Sequence, residues 1–301
     1  MTATSPPTAG RRTPRPRAAG PDKGRRLRSW RQRPNPVAGL GAFAWLLVVG
    51  VPLYALLVAT FQQTSEYRAA GPLTIPSDPT LGNYARAIEN GLAGFVLNTV
   101  VVTAVVVAIV VALAVTAGYA IVRTRSLMTN SLFRVFLLGL AIPNQAVIIP
   151  VYLIIIEMGL YDSLLAVMLP TAAFALPVCI LILTGSMRDI SDDLYEAMEL
   201  DGAGPVRMFF RLVVPLSRSG ISTIAVYAAL QAWNGFLFPL ILTQSPDKRV
   251  ITLGLFEFQG LYRVDIPGLL SAVVLATIPL FIVYLVARRS LVSGLMGVGG
   301  K

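Results

Sequence analysis

Six carboxylates, Asp189, Asp192, Asp193, Glu196, Glu199 and Asp201, crowd one short stretch of a chain in which 25 Lys and Arg outnumber 15 Asp and Glu. Carboxylates so placed can accept charge-assisted hydrogen bonds from a basic partner surface. Other chemistry is closed off by what is missing. There is no His, a single Cys (Cys179), and only three Lys, Lys23, Lys248 and Lys301. Intrachain disulfides and His-based metal or acid–base sites are therefore excluded. No Lys sits in the glycine spacing of a Gly-x-x-x-x-Gly-Lys-Ser/Thr phosphate loop, so if ATP drives this protein, another chain is expected to bind it. A second set of polar groups, the amides Asn98, Asn144, Gln145, Gln231 and Asn234, falls within apolar segments. They suit either hydrogen bonds between helices or a path for a neutral, hydroxyl-rich solute.

The elements that must position these groups are transmembrane helices. The chain is 55% hydrophobic and 13% charged, where a soluble domain carries roughly 25% charged residues. Six windows lack Asp, Glu, Lys and Arg: Pro34–Ser65, Asn90–Val122, Val135–Ile156, Ser163–Met187, Ser219–Pro246 and Ile266–Ala287. Each can hold the ~20 apolar residues that cross a bilayer as a helix. The expected spans are Val37–Phe61, Phe95–Val122, Val135–Ile156, Leu164–Gly185, Gly220–Leu242 and Leu269–Ala287. The fold class is thus an all-α integral membrane protein with six transmembrane helices. Because no span carries an ionisable carboxylate or amine, proton and sodium relays at membrane depth are disfavoured, and so is a membrane enzyme. Pro52, Pro143, Pro150, Pro170, Pro177, Pro239 and Pro279 lie within spans and predict kinks of the kind tolerated around a cavity.

Residues 1–36 hold ten Lys and Arg and seven Pro, a composition that predicts a disordered, basic cytoplasmic tail. Such a run next to a membrane span fixes orientation and touches anionic membrane lipid; no nucleic-acid partner is expected. Arg25-Arg26 precedes an apolar segment longer than the ~7–15 residues of a cleaved signal, so that segment is a retained first span. Residues 37–301 form the membrane domain. With the N-terminus inside, 20 of the 25 Lys and Arg face the cytoplasm, leaving Arg68, Arg86, Lys248, Arg249 and Arg263 outside. Both termini are expected to be cytoplasmic in a multi-pass protein of the cell membrane. The external segments are then Gln62–Leu92, a tight turn at Gly159–Asp162, and Thr243–Pro267 with Phe256, Phe258 and Tyr262.

The carboxylates fall in the cytoplasmic loop at about 188–218. Ser191 can cap a short helix whose first turn holds Asp192 and Asp193, the charge favoured at that end. Leu194, Ala197 and Met198 share a face, and Gly202 is placed to end the helix. Pro205 can open a second short helix presenting Met208, Phe209 and Leu212, with Pro215 separating it from the fifth span. The two helices make a compact knob with an apolar surface fit for a partner's cleft.

Glu196-Ala197-Met198, Asp201-Gly202-Ala203, Phe209 and Pro215-Leu216 resemble the cytoplasmic signature loop of binding-protein-dependent ABC importer permeases. The usual pattern is Glu-Ala-Ala, three residues to Gly, and a later Leu-Pro. This chain departs in Met198, in Gly204-Pro205 where a Ser or Thr often caps the second helix, and in Val214. Further matches run in order along nearly the whole chain beyond the tail. They are Asn98-Thr99, Gly118-Tyr119-Ala120 with Arg123, Ile142-Pro143 with Ile149-Pro150, Gly159 to Ser163, Trp233-Asn234 with Phe238-Pro239-Leu240, and Gly294-Leu295 before Gly297. Together they resemble the carbohydrate-uptake branch, and within it the smaller maltose permease subunit.

The resemblance implies a permease subunit of an ATP-driven sugar importer, paired with a second homologous permease and served by an extracytoplasmic sugar-binding protein. It implies that an ABC ATPase dimer binds ATP and Mg, that this chain binds no cofactor or metal and is no enzyme, and that the knob carries ATP-driven motion into the spans. Glu196 and Gly202 are the central coupling residues by that resemblance, with Ala197, Met198, Asp201, Ala203, Phe209 and Pro215 around them. Asn144, Gln145, Gln231 and Asn234 are the candidate pathway residues. Thr252-Leu253-Gly254-Leu255 resembles the external segment that reaches into the binding protein, and the C-terminal segment from Ser293 resembles one that contacts the ATPase interface. A permease for peptides or glycerol phosphate, or an uncoupled channel, are the alternatives. The sugar itself is not legible in the sequence.

Overall fold

The computed structural model describes the backbone of residues 36–124, 126–258 and 264–298, and the side chains of these as far as 256 and from 264 to 285. The basic tail up to residue 35, Tyr262, Arg263 and the side chains of the C-terminal segment lie outside the described residues. The chain divides into two units, Met1–Val49 and Gly50–Lys301. In the first, the described residues are the opening turns of a helix, α1 (Pro36–Ala59), and everything below concerns the second.

The regular elements among the described residues of the second unit are helical. After α1 come α2 (Thr64–Ala70), α3 (Gly82–Glu89) and the long α4 (Leu92–Thr124). Then follow α5 (Leu127–Leu138), α6 (Ile148–Glu157), α7 (Leu164–Arg188), α8 (Asp192–Leu200), α9 (Pro205–Met208) and α10 (Val214–Leu216). The chain continues with α11 (Arg218–Trp233), α12 (Leu237–Leu242), α13 (Ile251–Gly254) and α14 (Ile266–Val298). Four helices are long and apolar enough to cross a membrane, α1, α4, α7 and α14, and two bent helix pairs raise the number to as many as six.

Breaks in the helices correct two expected spans. In place of one kinked helix over Val135–Ile156, α5 and a 3₁₀ turn stop at Ala141, and the chain resumes at Asn144 at 96° to its former direction. Pro143 causes this: it lacks an N–H, and it sits extended at φ −70°, ψ 136°, forcing Ile142 out of the helical region as well. The expected fifth span, Gly220–Leu242, is likewise split, because α11 ends at Trp233, capped by Asn234, and α12 is a separate short helix. The stretch Gln62–Leu92, read from sequence as a loop, contains α2 and α3.

Three helices form the core. Along α4, Val102, Val106, Val110 and Ala114 recur every four residues and are fully buried, and Gly118 continues the row. Along α11, Gly220, Ile224, Ala228 and Ala232 do the same. Rows spaced by four are the ridges that interdigitate when helices pack, and small residues in them let membrane helices approach closely. Both rows meet α7 through Ala172, Ala175, Cys179, Ile180 and Leu183. The approach is closest at Gly220, where an added Cβ lies 2.8 Å from Ser186 Oγ and 2.9 Å from its Cβ, and at Gly118, 3.1 Å from Met187 Sδ.

The connections sort to two ends of this bundle. At one, Asn98 at the start of α4 bonds to the 247–249 backbone and the turn at Asp162 bonds to residues 242–245; this is the loop end. At the other, the last turns of α4 bond to α8 and Pro205; this is the knob end. Gly220→Ala is expected to cost about 1–3 kcal/mol, since Ser186 is too short to swing aside. Gly185→Ala, with open space at its Cβ, is the matched control. Thermal unfolding of the two variants in detergent checks the difference.

Candidate functional site

The knob forms as its sequence suggests, helix by helix. Ser191 caps α8, its side chain accepting from the Asp193 N–H at 3.3 Å. Gly202 turns the chain at φ +73°, with its N–H bonded to the Glu199 carbonyl and that of Ala203 to the Met198 carbonyl, both at 2.9 Å. This paired 5→2 and 6→1 bonding is the helix ending that a left-handed residue makes possible, and glycine takes that conformation without a Cβ penalty. Pro205 opens α9, which runs on as a π turn over Phe209–Val213 before α10. Pro215 stands exposed in α10, and the segment Pro205–Leu216 meets α11 at 75°.

The face that the knob presents differs from the expected one. Met208 and Leu212 are buried with Tyr195, Ala203 and Val213 in the same core as α4, α7 and α11, and Phe209 and Met198 are half-buried against it. The large apolar groups left exposed are Leu194, Leu200 (90%), Val206 (71%), Phe210 (65%) and Leu216. Met208, Phe209 and Leu212 share one face, as their spacing predicts, but that face turns toward the bundle instead of outward. Glu196, Ala197, Asp201 and Gly202 lie exposed on the knob, and a Cβ at Gly202 points into open space.

Two side chains of α4 hold the knob, and both lie in a motif noted in the sequence without a partner. Arg123 forms an ion pair with Glu199 and sits over the Tyr195 ring, 5.0 Å from its centre. Tyr119 donates to the Pro205 carbonyl at 3.3 Å and packs on the Phe209 ring, centroids 5.4 Å apart. Burial pushes the Tyr195 hydroxyl above its ordinary pKa, with Arg123 opposing. Arg123 and Glu199 are 76 residues apart, beyond the reach of any local sequence pattern.

At the loop end, Thr252, Leu253, Gly254 and Leu255 are buried or half-buried rather than projecting. The Ile251 N–H donates to the buried Thr99 Oγ1 at 2.8 Å, and Thr252 Oγ1 donates to the Gly235 carbonyl at 2.6 Å. Asn98 donates to the carbonyls of Asp247 and Arg249 at 2.8 and 2.9 Å. Gly254 lies so close to Phe95 that a Cβ there would stand 2.1 Å from the ring. Beside this segment, Phe236, Leu240, Thr243, Gln244, Arg249, Leu253 and Phe256 line an open cavity of about 490 Å³, with Phe236 and Phe256 stacked at 5.4 Å. A second, polar hollow of about 430 Å³ is lined by Gln63, Thr64, Asn83, Arg86 and Asp265. There Asp265 caps α14 through the Gly268 N–H at 3.2 Å and accepts from Thr64 and Arg86.

The four candidate pathway amides fall in two places. Asn144 and Gln145 lie in the 3₁₀ turn at the break before α6, and Gln231 and Asn234 at the end of α11. Gln145, Gln231 and Asn234 are exposed and Asn144 half-buried. Asn234 Nδ2 donates to the Leu230 carbonyl of its own helix at 2.9 Å. Among the described residues no hydrogen bond joins the two pairs.

Asp162 secures the start of the 243–254 segment. It adopts φ 58°, its Oδ1 accepts from the backbone N–H groups of Gln244 and Ser245 at 2.8 and 2.9 Å, and Ser245 Oγ donates to Oδ2. The Ser245 hydroxyl and these backbone N–H groups hold its carboxyl at about 2, below the ordinary 3.8. A carboxyl lowered on folding contributes stability above its unfolded pKa and loses it as pH falls through the folded one. Asp162→Asn is therefore expected to lower the melting temperature by a constant margin at neutral pH. That margin should shrink on acidification from 3.8 toward 2, as thermal unfolding of both proteins against pH will show.

Comparison with known proteins fits this geometry. Residues 111–296 match the family described as binding-protein-dependent transport system inner membrane component. A putative ABC transporter permease of Caldicellulosiruptor is 32% identical over 84% of this chain and 92% of its own length. The diacetylchitobiose uptake system permease protein NgcG of Streptomyces coelicolor is 30% identical over 81% of this chain and 82% of its own. A chain in the crystal structure of a bacterial ABC transporter involved in import of the acidic polysaccharide alginate shares the fold, with TM-score 0.73 and 21% identity over 84% of this chain and 94% of that one. The protein is thus a multi-pass membrane permease subunit rather than an enzyme, and it belongs to the binding-protein-dependent transport system inner membrane components.

Proposed function

We propose that this chain is one of two permease subunits of an ATP-driven sugar importer. A second, homologous permease completes the translocation path, and a separate ATPase dimer that binds ATP and Mg docks on the knob. An extracytoplasmic sugar-binding protein delivers solute to the loop end. In this orientation the knob end and both termini face the cytoplasm, consistent with Arg123, Arg188, Arg207, Arg211 and Arg218 all lying at that end.

The observation that carries the reading is the knob itself. Its inward side is seated in the core through Tyr195, Ala203, Met208 and Leu212, while Glu196 and Gly202 stand exposed beside Leu200 and Val206. An element anchored on one side and left apolar and acidic on the other is built to be pushed by a partner. The exposed carboxylate of Glu196 suits a basic group there, and Leu200 and Val206 suit an apolar cleft. For the solute, the support is the identity to the diacetylchitobiose permease together with spans that carry amides and no charges. Amide donors and acceptors match hydroxyl groups and offer nothing to a strongly anionic substrate.

The purified complex should contain an ATPase and a second permease, and reconstituted vesicles should take up a neutral sugar when glucose, maltose and N,N′-diacetylchitobiose are offered with MgATP. Gly202→Asp should abolish uptake while the chain still folds, because Asp tolerates φ near +73° better than most residues and its side chain points into open space. Unimpaired uptake in that variant would reject the knob as the docking element. Uptake of a peptide or glycerol phosphate in place of every sugar would reject the assigned solute.

A further inference from the structure

One long helix is free of proline and is held by its side chains at both ends of the bundle. Of the four long apolar helices, α1, α7 and α14 each contain proline, Pro52, Pro170 with Pro177, and Pro279, and α4 contains none. Its 33 residues run unbroken for about 50 Å at 1.5 Å per residue. Of the other paths between the ends, α7 and α14 are continuous but contain proline, and the rest are interrupted, by the 96° break before α6 and by the stop after Trp233 with the 75° bend beneath α11.

Both ends of α4 are gripped by side chains rather than by apolar packing alone. At the loop end Asn98 and Thr99 hold the backbone of residues 247–251, and Phe95 seats Gly254. At the knob end Arg123 holds α8 through Glu199 and Tyr195, and Tyr119 holds the start of α9. The Arg123–Glu199 pair is partly exposed, with side chains at 34% and 48% accessibility, so it adds little stability and its value is positional. A proline-free helix held at both termini keeps its ladder of hydrogen bonds and transmits a displacement along its axis, whereas a proline removes a bond and favours bending there.

We infer that α4 is the strut through which movement of the knob reaches the 243–254 segment at the loop end, with Arg123 and Asn98 as the positioning residues at its two grips. This rests on the reading of the knob as the ATPase dock. Nucleotide bound on the partner subunits thereby alters how the loop end is presented to the binding protein, and the reverse holds by linkage.

The test uses the full purified complex, with MgATP and vanadate as the only ligands. Cys179 is fully buried, so one cysteine placed at the exposed Gln244 reports on the loop end through its rate of maleimide labelling. Trapping nucleotide is expected to change that rate by about tenfold, within the range of ordinary coupling between sites. Arg123→Gln should remove most of the change in complexes that still elute intact, and Asn98→Ala should do so from the other end. Arg123→Lys should restore part of it, and the swap Arg123→Glu with Glu199→Arg more, a rescue that a merely structural role would not produce. If Arg123→Gln does not assemble, Glu199→Gln removes the same ion pair from the knob side. No response in the parent, or a full response in Arg123→Gln, overturns the inference. Gly202→Asp separates the two readings: a response that survives it removes the dock itself, and one lost with Gly202→Asp but kept with Arg123→Gln removes only the strut.

Discussion

Helices in lipid gain nothing from excluding water from one another, so they must associate by close packing and by polar contacts. This constraint explains the rows of valine, alanine and glycine at four-residue spacing on α4 and α11 and the small residues that face them on α7. The rest of the described structure hangs on that three-helix seam. It continues without interruption into the knob, whose Tyr195, Ala203, Met208, Leu212 and Val213 belong to the same buried cluster as Val102 and Ile224. Knob and bundle are one packed body, so a displacement of either must be accommodated by the other.

Irregular backbone is concentrated at the loop end, and polar side chains there bond to it. Asn83 donates to the carbonyls of Thr60 and Gln62 at 2.7 and 2.8 Å, Asn98 to those of Asp247 and Arg249, and Asp162 accepts from the N–H groups of Gln244 and Ser245. Each satisfies backbone groups that no helix ladder can reach. The result is a set of loops held to defined positions around an aromatic cavity, with α2 and α3 tied to the start of α14 through Asp265.

Much of this was legible in residue order. Long uncharged windows locate α1, α4, α7 and α14 because crossing a bilayer demands about twenty apolar residues. The boundaries of α8 follow from Ser191, the first-turn aspartates and Gly202, since capping and a left-handed turn are decided within a few residues. The sites of breakage were less legible: seven prolines fall within expected spans, yet Pro170 and Pro177 sit inside an unbroken helix whereas Pro143 ends one. Which of these happens depends on whether neighbouring helices can accept the bend, and that is not local information.

The sequence by itself determined the class of protein, the number and rough extent of the apolar segments, the local form of the knob helices and the absence of ionisable groups in the spans. These are properties of composition and of neighbours within a helical turn. Only the tertiary structure decided which face of the knob turns inward, that Thr252–Leu255 lie against α4, and that Arg123 meets Glu199 while Asp162 meets Ser245. Those contacts join residues 76 to 152 positions apart, and packing geometry selects them from many that residue order permits.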